Sequence, residues 1–250
     1  MLGGNLASLG GVVAAALLGA SAPAVAAPML QNIVPFGDNR GAPTPPVARY
    51  VGADGQSFVL DRQSGPRPLL KFDDSPEVWV LEPSPAPRGD TIYRNDQGEP
   101  VLRSTRLGGL TLFSAQEPGG SPAAMAGEAE DLQSTPNLPP GVLLQRMIQA
   151  SARASRAAQH LITFTAPNVS PQSAPLFADA ATVAADALVR LARRADAHAF
   201  MVRLDKLVFV QGPKPDISIN GPVMQVTITP GKGFAGRPSS DRFIHAALKR

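Results

Sequence analysis

LLKFDDSPEVWVL, residues 69–81, decides how the first half of the chain is read. Two short apolar runs, the second built on Val78, Trp79 and Val80, flank Asp73-Asp74-Ser75-Pro76. Asp and Ser side chains bind turn amides and Pro fixes φ, so the stretch predicts strand, turn, strand. The competing reading makes Asp73 and Asp74 a catalytic carboxylate pair. Adjacent strand residues point to opposite faces, so the two would need a distorted loop to converge on one substrate. A carboxylate site would also need a partner acid close in space, with Glu77 or Asp90 as candidates.

The same pattern recurs on both sides. ARYV, SFVLDR, PLLKF, EVWVL, DTIYRN, PVLRST and LGGLTLF are β-prone runs within residues 48–113, parted by Gly-, Pro-, Asn- and Asp-rich turns. About seven short strands at this spacing predict an antiparallel β-rich unit, a curled sandwich or small barrel. Residues 114–141 follow, Pro-, Gly- and Ala-rich with four acids and no base, and read as a linker.

Residues 142–250 change period. Apolar and polar positions step by three and four across 142–161 and again across 176–200, which predicts two long helices. KLVFVQG reads as a strand. DISINGPVMQVTITPG reads as a hairpin with a type I′ turn at Asn220-Gly221. Ser239-Ser240-Asp241 opens a short terminal helix. The fold class is therefore α+β: a β-rich unit, then a unit of two long helices, a small antiparallel sheet and a terminal helix.

Charge divides with these units. Residues 48–113 carry eight Lys/Arg against nine Asp/Glu, net −1; residues 142–250 carry fourteen against six, net +8. The overall +3 hides a basic C-terminal unit.

Ahead of residue 48 the sequence reads as an export signal and a tether. Leu9–Leu18 form an apolar core too short to span a bilayer comfortably, and Ala24-Val25-Ala26 gives a small-x-small cleavage pattern. Arg40 is the first basic residue, so the usual cationic leader is missing. The reading is a signal peptide over 1–26, with an uncleaved anchor as the alternative, and a Pro/Gly-rich tether over 27–47. No later segment has the length and apolarity of a transmembrane helix. The chain has no cysteine, which rules out disulfides, thiolate metal sites and Cys nucleophiles.

The chemistry-bearing motifs of nucleotide, serine-hydrolase and zinc-protease sites are absent, so no catalytic residue, metal or cofactor is assigned. His160, His198 and His245 each fall late in a predicted helix, where the helix dipole favours them, and none pairs at ligand spacing. Asn95-Asp96-Gln97-Gly98 lacks the closing ligands of a calcium loop and reads as a hairpin turn. Arg88-Gly89-Asp90, an adhesion tripeptide elsewhere, reads as chance.

Two basic constellations remain. Arg146, Arg153, Arg190, Arg193 and Arg194, with Arg156, form a helical patch for an anionic partner, since guanidinium forks onto phosphate or carboxylate. TPGKGFAGRPSSDRF runs through a glycine-rich loop into a helix start, where Lys232, Gly233, Arg237, Ser239 and Ser240 form an anion-binding constellation. Solvated helix faces and an ordinary N-cap explain the same residues without a ligand.

The runs RYVGADGQSFVLDR, PLLKFDDSPEVWVL and RGDTIYRNDQGEPVLRSTRLGGLTLF resemble a family of exported proteobacterial proteins known only as a domain of unknown function. The resemblance implies an envelope setting and brings no functional residues. The functional expectation is a periplasmic, non-catalytic envelope protein that binds a partner protein or an anionic lipid or glycan through its basic C-terminal unit. Nucleic acid is not expected, because basic and aromatic residues do not interleave. A periplasmic hydrolase using an acid pair such as Asp73 and Asp90 is one alternative. An enzyme inhibitor presenting loop 83–89 is another.

Overall fold

A computed structural model describes residues 45–114, 117–132 and 137–249. The expected signal peptide and most of the tether lie outside the described residues.

All seven expected β runs form strands: β1 (Val47–Gly52), β2 (Ser57–Asp61), β3 (Leu69–Phe72), β4 (Val78–Val80), β6 (Thr91–Arg94), β7 (Pro100–Ser104) and β8 (Leu110–Leu112). Two more join them, β5 (Glu82–Pro85) and β9 (Ser121–Glu128). The nine lie in the order β4-β3-β2-β1-β9-β8-β7-β6-β5, every pair antiparallel. Strand β9 falls within the segment expected to be a linker. Its sequence, SPAAMAGE, has low β-propensity, but β1 and β8 each offer it an unpaired backbone edge, and that outweighs propensity.

The two outermost strands, β4 and β5, are separated only by Leu81. They are two halves of one bent strand. Its first half pairs with β3 and its second with β6, so the sheet closes into an eight-stranded up-and-down barrel. Leu81 sits at the bend, fully buried, its N–H donating to the Pro68 carbonyl at 2.9 Å. Phe58, Leu60, Leu70, Leu102 and Leu112 fill the interior with Leu81. Eight strands enclose just enough room for such side chains, so the barrel is a core. Along one flank Tyr50, Phe58, Phe72 and Trp79 form an aromatic row, with ring centroids 5.5, 5.9 and 6.1 Å apart.

Strand alternation sorts the connections between two ends. Turns 53–56, 73–77 and 95–99, with the end of β8 and the start of β9, gather at one end; turns 62–68, 86–90 and 105–109, with the exit of β9, gather at the other.

The second half comprises α1 (Pro140–Ala158), β10 (Thr163–Thr165), α2 (Ala174–Ala192), α3 (His198–Arg203), β11 (Lys206–Gln211), β12 (Asp216–Asn220), β13 (Val223–Ile228) and α4 (Ser240–Leu248). The sheet runs β10-β11-β13-β12, with only β12 antiparallel to its neighbour. Asn220 pairs with Val223, and the positive φ, 58°, belongs to Gly221. Pro222 is the second central residue and cannot take positive φ. The turn therefore belongs to type II′ rather than the expected type I′. Helix α2 is the hub. Phe177, Val183, Leu188 and Leu191 are fully buried, and Ala180, Ala184 and Ala187 let neighbours approach closely. Barrel and helical half lie in one compact unit.

Candidate functional site

The glycine-rich loop after β13 is where the two halves meet. Gly236 packs so tightly that a Cβ would collide with the Thr229 carbonyl oxygen. The Gly236 carbonyl accepts from Thr229 N–H at 2.7 Å. This pinch turns Arg237 inward, where its side chain is 2% exposed. Its guanidinium donates to Asp179 of α2, to the Val78 carbonyl at 2.9 Å and to Glu77 Oε1 at 3.4 Å. Glu77 is equally buried and accepts the Ser240 N–H at 2.9 Å. Ser239 caps α4 by accepting from Arg242 N–H at 3.1 Å, and its own hydroxyl donates to Asp96 at 2.5 Å. Glu77 and Asp96 come from turns 73–77 and 95–99, so one end of the barrel presents two carboxylates to the start of α4.

Burial and charge act against each other here. Burial pushes the Glu77 carboxyl above its usual range, opposed by Arg237 and by the hydrogen bonds from Ser240. Burial disfavours the charge on Arg237, but Asp179 and Glu77 outweigh it and hold the guanidinium more firmly protonated than a solvated arginine.

The expected anion constellation is thus split. Lys232 and Gly233 are exposed, while Arg237, Ser239 and Ser240 are buried against the chain's own carboxylates. An external anion at the latter three would have to displace Glu77, Asp96 or Asp179. The helical patch is dispersed as well. Arg153 pairs with Asp186 at 2.7 Å, Arg194 with Asp196 at 2.6 Å, and Arg190 with Asp241 at 2.8 Å while also donating to Ser240 Oγ. Arg146 and Arg193 have no ion-pair partner among the described residues. Arg146 lines a groove of about 420 Å³ between α1 and α2.

The acidic candidates separate too. Asp73 and Asp74 are exposed in turn 73–77, and Asp73 pairs with Arg49. Asp90 lies at the opposite end of the barrel, buried and paired with Arg103. Asn95 Oδ1 accepts from Gln97 and Glu99 N–H at 3.0 and 2.9 Å, the bonds of a hairpin turn. The His160 ring lies between the carbonyls of Ala158 and Leu204, a structural role, and His198 opens α3 instead of closing a helix. Among the described residues no three His, Asp or Glu side chains gather as a metal site.

Beside the Arg237 junction opens a cleft of about 700 Å³ between β12, α4 and the β6–β7 turn. Ile217, Ile219 and Ala246 give it an apolar floor, and Lys214, Arg242, His245 and Lys249 give it a basic wall. Arg242 and His245 of α4 and its C-cap residue Lys249 recur at three- and four-residue spacing. The cleft also holds two carboxylates, each engaged: Asp96 with Ser239, and Asp216 with Arg242 at 3.3 Å. Lys214, His245 and Lys249 have no carboxylate partner among the described residues. Sequence reasoning missed this site because Lys214 and Lys249 lie 35 positions apart and line one cleft only in the folded chain. The spacing of Arg242, His245 and Lys249 was the one signal available.

A sequence model described as a domain of unknown function (DUF4908) matches residues 29–247 of the chain. No curated protein and no solved structure matches it.

Proposed function

We propose, for a chain that belongs to the DUF4908 family of unknown function, an exported, non-catalytic cell-envelope protein that holds an anionic envelope component in the cleft of α4, β12 and the β6–β7 turn. The convergence of Lys214, His245 and Lys249 on one concave surface carries this reading; of the carboxylates in the same walls, Asp216 is paired with Arg242 and Asp96 is turned to Ser239. Ammonium groups draw in phosphate or carboxylate, and the Ile217–Ile219 floor suits an adjoining apolar portion. The Arg237 junction gives the cleft rigid walls by fixing Asp96 and α4 to one another through Ser239.

The export element rests on the apolar run Leu9–Leu18 and the pattern Ala24-Val25-Ala26. The test is binding of purified protein to isolated cell envelopes at low and high salt. Lys214→Gln/Lys249→Gln should weaken the low-salt binding at least fivefold and flatten its salt dependence. Unchanged binding and unchanged salt dependence would contradict the proposal.

A further inference from the structure

Strand β12 is one margin of the four-stranded sheet, bonded to β13 on one side only. Its neighbours fix which way its backbone points. Pro222, which leads into β13, and Ile228 turn their carbonyls to the β11 side, accepting from Lys206 N–H at 3.2 Å and Gly212 N–H at 2.9 Å. Successive strand residues alternate between the two edges. Val223, Gln225 and Thr227 therefore turn to β12 and bond their register partners Asn220, Ser218 and Asp216. This leaves the N–H and C=O groups of Ile217 and Ile219 pointing outward, without a partner among the described residues. The same two residues floor the cleft beside α4. A proline, a bulge or a lysine within the strand blunts many sheet edges, and β12 has none of them. The opposite margin is treated differently. Thr163 N–H bonds inward to the Asp205 carbonyl, so Ile162 faces out, and α1 covers it. Ile162 N–H donates to Ser155 Oγ at 2.9 Å, and its carbonyl accepts from Ser151 Oγ at 2.6 Å.

We infer that the cleft takes an extended acidic peptide, a segment of a partner protein, which adds to the sheet as a fifth strand along β12. This names the partner class for the anion site proposed above and rests on that reading. Main-chain bonds to Ile217 and Ile219 supply affinity, and the cleft walls select the side chains. A phosphate group can accept from the two N–H groups but brings no donor for the two carbonyls. A peptide backbone brings both, at the repeat of the edge itself. The space agrees. A strand residue fills roughly 160 Å³ at ordinary strand and sheet spacings, so a cleft of about 700 Å³ admits about four, close to the five residues of β12. The charge follows from the walls. Arg242 cancels Asp216, and Asp96 rests on the N–H and hydroxyl of Ser239 at the start of α4. Lys214 and Lys249 are left to meet alternate carboxylates of the peptide.

The test is amide hydrogen exchange of the isotope-labelled full chain, read at Ile217 and Ile219 by NMR. The probes are the blocked hexapeptide acetyl-Glu-Val-Glu-Val-Glu-Val-amide and, separately, pyrophosphate. Saturating peptide should slow exchange of both amides at least about tenfold, because each then lies inside a ladder. Saturating pyrophosphate should leave at least one of them exchanging as in the free protein. Lys214→Gln/Lys249→Gln, or Lys in place of Glu in the peptide, should weaken peptide binding roughly fivefold. Methylating the backbone nitrogens of the valines in one analogue and of the glutamates in another blocks one peptide edge at a time. Only one of the two analogues should lose binding. No peptide binding, peptide binding without protection of Ile217 and Ile219, equal protection by pyrophosphate, or equal behaviour of the two methylated analogues would overturn the inference. Pyrophosphate binding at the cleft without peptide binding sinks the added strand and leaves the anion site standing, whereas absence of pyrophosphate binding sinks the anion site itself.

Discussion

Replacing Arg237 with Met keeps most of the stem volume and removes the guanidinium that joins barrel to helices. Four acceptors then lose a donor: Asp179, the carbonyls of Val78 and Pro238, and Glu77. Asp179 is about one-fifth exposed and can hydrate, whereas Glu77 is 1% exposed and keeps only the hydrogen bonds from Ser240. Removing one partner of a buried pair costs about 3–5 kcal/mol, most of it the uncompensated charge left behind. In a unit of this size that lowers the melting temperature by roughly 6–20 °C. Glu77→Gln acts differently. The amide oxygen can still accept from Ser240, and Arg237 retains Asp179 and the Val78 carbonyl. One of several carboxylates around a single buried cation is lost, and the cost should stay below about 1 kcal/mol. Urea unfolding at neutral pH measures both variants. Fluorescence of Trp79, the only tryptophan, reports the barrel, and far-ultraviolet ellipticity reports the helices. A cost under about 1 kcal/mol for Arg237→Met, or equal costs for the two variants, would refute the reasoning.

Four further outcomes follow from the same geometry. Because burial raises the Glu77 pKa above its unfolded value, the folded state binds that proton more tightly. Its contribution is present below about 4.5 and lost as pH rises through the folded value, so stability relative to Glu77→Gln should increase as pH falls from neutral towards 5, measured by urea unfolding. Gly236→Ala should cost about 1–3 kcal/mol in the same assay, since its Cβ meets backbone at Thr229, which cannot swing aside. Thr229→Val should be neutral or stabilising by up to about 1 kcal/mol, because Thr229 Oγ1 is buried without a hydrogen-bond partner among the described residues; a loss above that would show the hydroxyl has one. Asp61→Ala should cost about 2–4 kcal/mol by releasing the N–H groups of Gln63, Ser64 and Leu132. Burial opposes the Asp61 charge, but bonds from Ser64, Leu132 and Gln63 hold its pKa below the usual value, so that loss should fade in acid below pH 3.8.

Local patterning carried most of the fold. SFVLDR, PLLKF and EVWVL announce their strands because side chain and backbone agree, and Ser239 announces its cap. Strand β5, EPSP, was illegible because Pro83 and Pro85 argue against a ladder, yet a bent strand at the closure tolerates them. Strand β9 was illegible because only the edges of β1 and β8 call for it. Barrel closure is likewise invisible locally: nothing in Val80-Leu81-Glu82 tells that its two sides pair with strands from different parts of the chain. At the site, sequence reasoning named Arg237, Ser239 and Ser240 as residues that meet an anion. It could not see that Glu77 and Asp96, 160 and 143 residues distant, are anions they meet. Arg190, Arg153 and Arg194 looked available for the same reason, since ion pairing with Asp241, Asp186 and Asp196 depends on side-chain geometry.

The most direct test of the account is an amide chemical-shift map of the isotope-labelled protein titrated with pyrophosphate, a soluble stand-in for an envelope anion. The account predicts the largest saturable shifts at residues 214–219 and 242–249, abolished in Lys214→Gln/Lys249→Gln. Shifts confined to other surfaces, or identical in that variant, would contradict the cleft as the anion site.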